Sequence, residues 1–322
     1  MSAENPADGA RRRPSPVAAA LNVGRGAVIG AVEIVPGVSG GTMALVLGVY
    51  ETIIDSAGSL VRAAVAGARS LVARDRRAEL RADAREHASH VRWGVLIPLG
   101  IGMLIAIVAV SATLAPLLEE HPVETRALFA GLIVASISVP ARMVGRWGTS
   151  EVVAVVAGAA AAFWLTSLTG TPHDDPAPWM IAGSASIAIC ALVLPGVSGS
   201  FMLLVLGMYG ATLEAVNERD LAYLATFALG AIVGLALFVT GLQWLLAHRR
   251  SLTLAAMTGL MVGSLRALWP WQGEDGTLEP PGESVGAVIV LFVVGIAAVL
   301  ALVMIERAVA ARAEEPAATP TA

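Results

Sequence analysis

The sequence predicts an all-α polytopic membrane protein built from an inverted-topology repeat, with two broken (re-entrant) helical hairpins and about six full transmembrane helices. Three observations support this fold class. The chain is 56% hydrophobic and 14% charged, with a mean hydropathy of +0.74, whereas soluble domains average about 25% charged residues. Several long segments carry no charge, and one 15-residue motif occurs twice.

The uncharged segments are long enough to cross a bilayer, which takes roughly 17–25 apolar residues. They contain 26, 38, 27 and 22 residues, at 93–118, 176–213, 221–247 and 284–305. The net charge of −4 disfavours nucleic acid as a partner. A single cysteine, Cys190, excludes an intrachain disulfide and a cysteine-based metal site. We therefore expect membrane lipids around the chain, with no metal and no cofactor.

Apolar segments along the chain define the predicted spans. They lie at about 17–61, 93–118, 125–142, 151–169, 178–217, 221–247, 251–268 and 284–305, and the first and fifth are broken by Pro-Gly turns. The polar ends, residues 1–16 and 309–322, are predicted to be disordered tails.

Arginine placement orients these spans, because arginine accumulates in cytoplasmic loops. If each broken segment returns to its own side, 17 of the 21 arginines and both termini face the cytoplasm of a bacterial plasma (inner) membrane. Eight arginines lie in the loop 62–92, where alternating charges indicate a solvated or interfacial helix. A lipid-headgroup site there is the alternative. Two short full spans would give the same loop sides as a re-entrant hairpin.

An internal repeat is the strongest signal in the sequence. Residues 36–50, PGVSGGTMALVLGVY, recur at 195–209 as PGVSGSFMLLVLGMY, with 11 of 15 positions identical at an offset of 159. A second echo links GLIVAS at 131–136 to GLMVGS at 259–264, at an offset of 128. Three full crossings separate the broken segments, so the second copy is inverted.

The predicted organisation follows from this repeat. Repeat 1 covers 17–146 and includes the loop 62–92, and a connecting transmembrane helix covers 147–177. The inverted repeat 2 covers 178–271, and a final transmembrane helix covers 284–308.

The Pro-Gly-Val-Ser-Gly turns have the chemistry of an anion site. Proline ends a half-helix, and glycine allows another group to approach closely. Serine can cap the next half-helix, whose free N–H groups attract an anion. Discontinuous helices of this kind form the substrate site in many transporters, whereas the alternative is a kink for helix packing. The candidate phosphate-binding residues are Gly37, Ser39, Gly40, Gly41, Thr42, Gly196, Ser198, Gly199 and Ser200.

Four charged residues are further candidates. Glu33 lies three residues before Pro36 in an apolar stretch, where a charge costs about 2.5–3.5 kcal/mol. We expect it to carry a proton or to line the substrate pocket, with Glu51 as the next proton-coupling candidate. Arg25 and Arg266 are candidate phosphate ligands, and the alternative for both is interfacial snorkelling.

An intramembrane serine hydrolase is a further alternative, because residues 37–41, GVSGG, match the G-x-S-x-G pattern. That chemistry requires a base beside the serine. No histidine lies within an apolar span, and the second copy lacks the last glycine. We therefore predict that the protein is not an enzyme.

The segments 33–42 (EIVPGVSGGT), 194–200 (LPGVSGS) and 259–266 (GLMVGSLR), with Trp269-Pro270, resemble the domain-of-unknown-function 368 family over about residues 20–305. The resemblance implies a polyprenyl-phosphate transporter (flippase) that recycles undecaprenyl phosphate from the outer to the inner leaflet for cell-envelope synthesis. Proton coupling would offset the electrical cost of moving phosphate inward, about 2.3 kcal/mol per charge at 100 mV. Composition and spacing alone predict an inverted-repeat transporter with anion sites, and they leave open a small-anion transporter or channel and a homo-oligomer.

Overall fold

The computed structural model describes residues 15–33, 39–168, 170–173, 175–273, 277–282 and 284–314, with the backbone alone at 74, 110–119 and 306–314. Regular structure in this part of the chain is helical. The α-helices are α1 (Pro16–Glu33), α2 (Gly40–Val46), α3 (Tyr50–Val72), α4 (Arg77–Ser89), α5 (Trp93–Glu120), α6 (Pro122–Met143), α7 (Thr149–Leu165), α8 (Pro178–Val193), α9 (Gly199–Val205), α10 (Tyr209–Glu218), α11 (Leu221–His248), α12 (Arg250–Ser264) and α13 (Val285–Glu314). Short 3-10 helices cover Arg74–Arg76 and Leu265–Leu268.

Four to seven candidate membrane spans are present in the described residues. Four single helices are long and apolar enough to cross a bilayer, at Pro122–Met143, Leu221–His248, Arg250–Leu268 and Val285–Ile305. Three bent pairs raise the number to seven if each pair counts as one span. The pair α2–α3 bends by 116°, the pair α9–α10 by 112°, and the pair α4–α5 by 60°. The predicted all-helical, multi-pass fold class is therefore correct at this level.

Small residues let the helix pairs approach closely, as is common between membrane helices. Helix α1 packs on α5, and α8 packs on α11. A Cβ added at Gly102 of α5 would overlap the carbonyl oxygen of Val23 in α1. The same contact joins Gly230 of α11 to Ala182 in α8. Val23 and Ala182 are 159 residues apart, which is the offset between the broken segments. Gly102 and Gly230 are 128 residues apart, which is the offset between the second pair of matching segments.

The helix that follows α6 packs on α12, and the helix that follows α12 packs on α6. Helix α13 packs on α6, and α7 packs on α12. Gly131 of α6 lies against the carbonyl oxygen of Phe292 in α13, and Gly259 of α12 lies against that of Val155 in α7. A Cβ at either glycine would overlap its partner. Two matching helix pairs are therefore formed by residues far apart in the chain.

The two short helices α2 and α9 differ in burial. In α2, every residue from Thr42 to Val46 is buried, and its apolar side chains pack with α6 and α12 residues such as Ile133 and Met257 in one core. A second core surrounds α9, where only Gly199, Met202 and Leu203 are buried. The first short helix is therefore central and the second is closer to the surface.

Two helices extend beyond the predicted apolar segments. Helix α3 continues to Val72, beyond the segment that ends near 61, and α13 continues to Glu314, beyond the predicted span and into the predicted tail that starts at 309. Both extensions are rich in alanine, which favours helix strongly. Within the loop 62–92, α4 has no buried residue, as expected for a solvated or interfacial helix. Residues 1–14 and 315–322 of the predicted tails lie outside the described residues.

Candidate functional site

The first turn is closed by hydrogen bonds of Ser39, which caps α2. Its hydroxyl oxygen accepts from the backbone N–H of Gly41 at 3.1 Å and donates to the carbonyl of Leu194 at 3.0 Å. The side chain is completely buried. Its hydrogen-bond partners among the described residues are backbone atoms, and these include no base. The geometry therefore opposes the serine-hydrolase alternative.

Glu33 reaches the same turn from the end of α1. Its Oε2 accepts a hydrogen bond from the backbone N–H of Gly40 at 2.7 Å. The contacts of its carboxylate within the described part of the chain include no ion pair with Arg25, which bonds to the side chain of Asn22 at 3.1 Å. A carboxylate thus occupies a position where the sequence predicts an anion.

The second turn is held less tightly. The Ser198 hydroxyl accepts from the backbone N–H of Phe201 at 3.4 Å, and it lies 2.9 Å from the hydroxyl of Ser200. Gly196 adopts a φ of +82°. A Cβ there would come within 2.7 Å of the Met261 backbone, so the turn needs glycine for both conformation and space.

The two turns contact each other directly. The backbone N–H of Gly196 donates to the Thr42 hydroxyl at 3.0 Å, in addition to the bond from Ser39 to Leu194. The Tyr50 hydroxyl donates to the carbonyl of Val193 at 3.2 Å. Tyr50 was not among the predicted site residues, although its position as the last residue of the repeated motif was a usable signal.

The remaining predicted glycines pack closely around this junction. A Cβ at Gly41 would lie 2.8 Å from the carbonyl oxygen of Val193, and one at Gly199 would lie 2.7 Å from that of Ala188. Gly37 lies outside the described residues. The structure therefore brings Ser39, Gly40, Gly41, Thr42 and Gly196 into one cluster, with Ser198, Gly199 and Ser200 following Gly196 in the chain.

A small cavity borders the second turn and the residues on either side of Arg266 in the chain, Ser264 and Ala267. Its volume is about 10 Å³, and Thr166, Ser198 and Ser264 are among its lining residues. That volume is room for about one water molecule. Arg266 Nη1 donates to the carbonyl of Thr166, and its guanidinium carbon lies 5.6 Å from the ring centre of Phe163. Arg266 is thus adjacent to the Ser198 side of the junction.

A larger cavity, of about 380 Å³, lies around α10 and the first turns of α8 and α11. Its charged lining consists of Asp175, Glu214, Glu218 and Asp220. Four carboxylates repel a phosphate group, because like charges disfavour one another at short range. This cavity is therefore unsuited to a lipid-phosphate headgroup.

Glu51 lies in the first turn of α3. Its Oε1 is 2.6 Å from Arg250 Nη2 at the start of α12, and both side chains are about half exposed. Nearby, Gln243 of α11 donates to the carbonyl of Ile54 at 3.1 Å and accepts from Arg62 Nη1 at 2.9 Å. These contacts tie α3 to α11 and α12.

These features define a multi-pass, all-helical membrane protein with a buried junction between two copies of one turn. The chain belongs to the undecaprenyl phosphate translocase-like family, whose model matches residues 29–285.

Two relatives carry informative names. A "Polyprenyl-phosphate transporter" of Vibrio cholerae is 36% identical over 252 residues, 77% of each chain. A protein of the same name from Staphylococcus aureus is 31% identical over 194 residues, 54% of this chain and 68% of its own. No solved structure matches. Because the relatives are named as transporters, they agree with the prediction that the protein is not an enzyme.

Proposed function

We propose that the protein is a flippase that moves undecaprenyl phosphate, or a related polyprenyl phosphate, from the outer to the inner leaflet of the bacterial plasma membrane. The observation that carries the proposal is the junction of the two repeated turns, where Gly196 N–H bonds to Thr42 and Ser39 bonds to Leu194. The family and the names of both relatives support this substrate class.

The proposal includes an inverted repeat with two re-entrant hairpins. Supporting observations are the bends of 116° and 112° at equivalent places and the recurrence of the Val23–Gly102 contact as Ala182–Gly230. Because α7 packs on α12 and α13 packs on α6 in the same way, each proposed repeat gains one helix beyond the boundaries at 146 and 271. Both termini are proposed to lie in the cytoplasm, because that placement puts 17 of 21 arginines on the inner side.

Within the junction, the second turn is the better site for the phosphate. Ser198 borders a small cavity that is also lined by Thr166, the bonding partner of Arg266, whereas Ser39 and Thr42 already bond to the opposite turn. A phosphomonoester carries about −1.5 to −2 charges and strong acceptor oxygens, which suit hydroxyl and guanidinium donors. We therefore assign phosphate contact to the second turn and closure of the junction to the first.

Glu33 is the proposed proton carrier. Its carboxylate accepts a hydrogen bond from the Gly40 N–H. Gly40 directly follows Ser39, which bonds across the junction to Leu194. Moving phosphate inward against 100 mV costs about 2.3 kcal/mol per charge, and a co-moving proton offsets one such charge. Glu51 is the weaker candidate, because it is half exposed and paired with Arg250.

The test is a lipid-flip assay in proteoliposomes loaded with undecaprenyl phosphate, with and without an imposed pH gradient. The parent should move the headgroup inward faster when the outer side is more acidic. Glu33→Gln, which keeps an acceptor for Gly40 N–H, should retain flipping but lose its response to the gradient. Glu51→Gln is the matched control and should respond as the parent does.

Two results would contradict these assignments. A Glu33→Gln protein that responds to the gradient as the parent does would remove Glu33 from the proton path. Parent protein that moves inorganic phosphate or chloride, but no lipid, would favour the small-anion transporter or channel.

A further inference from the structure

Arg126 is a half-buried arginine that the proposed function leaves unused. It lies one turn into α6, and its Nη1 is 3.4 Å from the carbonyl oxygen of Pro270. No carboxylate among the described residues lies within ion-pair distance of it. A guanidinium carries five N–H donors, and desolvating it without an anion is costly. This residue therefore has donors and charge to offer to a ligand.

Arg126 contacts the segment of chain that directly follows Arg266. Helix α6 packs on the 3-10 helix Leu265–Leu268 that carries Arg266, and Arg126 contacts Pro270 a few residues further on. The amide of Gln272 donates to the carbonyl oxygens of Arg266 and Trp269 at 3.0 Å, which fixes the turn. Both arginines therefore belong to one ordered structure.

Aromatic side chains mark this turn as a membrane-interface position. The rings of Trp269 and Trp271 meet edge to face at 5.5 Å, and the Trp269 indole N–H donates to the carbonyl of Glu279 at 2.9 Å. Tryptophan concentrates at the boundary between headgroups and acyl chains. By the arginine-based topology, this end of α6 and α12 faces the outer leaflet.

We propose that Arg126 and Arg266 form an anion site that receives the phosphate of a prenyl phosphate lipid from the outer leaflet. This inference rests on the proposed function and adds an entry site to it. One guanidinium group can donate two parallel hydrogen bonds to two phosphate oxygens, and it remains charged at any physiological pH. From Arg266, the Thr166 carbonyl and the small cavity lead to Ser198. The interfacial tryptophans are placed to contact the prenyl chain beside the headgroup.

The experiment measures binding of farnesyl phosphate to purified full-length protein in detergent by isothermal titration calorimetry. Arg126→Gln should weaken binding by about tenfold to a hundredfold, as expected for loss of a charged hydrogen bond. Arg126→Lys keeps the positive charge but loses the fork of N–H donors, so it should recover only part of the affinity. Arg219→Gln removes another outer arginine, at the exposed end of α10, and should bind as the parent does.

Salt and competition sharpen the assignment. Added NaCl should weaken binding to the parent more steeply than to Arg126→Gln, because one ionic contact is missing in the variant. Inorganic phosphate should displace farnesyl phosphate only at far higher concentration, since it lacks the prenyl chain. Displacement at equal concentrations would overturn the assignment to a lipid.

The outcomes separate the two proposals. If the parent binds farnesyl phosphate and Arg126→Gln binds it equally well, the entry site is wrong while the proposed function stands. If the parent binds no prenyl phosphate under any condition, the proposed function itself fails. Thermal unfolding of each variant identifies any that has lost its fold, and Arg126→Lys then carries the test.

Discussion

The two Pro-Gly-Val-Ser-Gly turns share five residues but place their serines in different surroundings. Ser39 is completely buried and bonds across to Leu194, whereas Ser198 borders a small cavity and lies 2.9 Å from Ser200. The short helix after the first turn is almost entirely buried, and the one after the second is partly exposed. The difference teaches that the same five residues serve as a structural joint in one copy and lie beside a small cavity in the other, because the packing around them differs.

The largest expected effect separates two equivalent glycines, Gly48 and Gly207, with φ of +67° and +69°. A Cβ at Gly48 meets no described atom within 4 Å, but one at Gly207 would overlap the carbonyl oxygen of Thr171. Gly48→Ala should cost about 1–2 kcal/mol for its backbone conformation. Gly207→Ala adds an overpacking cost of about 1–3 kcal/mol.

Unfolding in mixed detergent micelles measures both variants against the parent. Gly67→Ala, in open space within α3, is the control and should be neutral or slightly stabilising. Equal losses of stability in Gly48→Ala and Gly207→Ala would mean that the two glycines have the same surroundings. That result would contradict the difference between the two copies.

A smaller effect should distinguish the serines. Ser39→Ala leaves the Leu194 carbonyl and the Gly41 N–H without this partner, so stability should fall by about 1–3 kcal/mol. Ser198→Ala removes a long 3.4 Å cap bond and should cost under about 1 kcal/mol. Its lipid-flip rate, however, should fall more than that of Ser39→Ala, once both rates are corrected for the folded fraction.

Ser138→Ala is the matched control for the serine pair, because that hydroxyl bonds within its own helix, to the Ala135 carbonyl at 2.7 Å. It should change neither quantity by a measurable amount. Normal flipping by Ser198→Ala would reduce both turn hydroxyls to capping groups.

The smallest effect concerns the Glu51–Arg250 ion pair, which ties α3 to α12. The second copy of the motif has Gly210 at the position equivalent to Glu51 and cannot form this pair. Because both side chains are about half exposed, a double-mutant cycle with Glu51→Gln and Arg250→Gln should give a coupling of about 0.2–1 kcal/mol. A coupling of several kcal/mol would instead mean that the ion pair is a major contribution to the packing of α3 on α12.

The sequence was sufficient to predict the all-helical, multi-pass fold, because hydropathy is a local signal. It could not predict that Ser39 is completely buried. Its partner Leu194 lies in the other copy of the motif, and the contact between them depends on how the helices pack. The prominence of Glu33 followed from its apolar setting, but its bond to Gly40 required coordinates. Arg126 was overlooked because one arginine near a helix start looks ordinary until its neighbours are known.

The exchanged packing of α7 and α13 has a consequence for biosynthesis. Gly131 of α6 finds its partner in Phe292, about 160 residues later in the chain. At roughly 5–20 residues per second, the ribosome needs on the order of ten seconds or more to supply that partner. During this interval the face of α6 around Gly131 lacks the helix that covers it in the folded protein. A chain that stops before α13 would therefore leave this face of α6 uncovered.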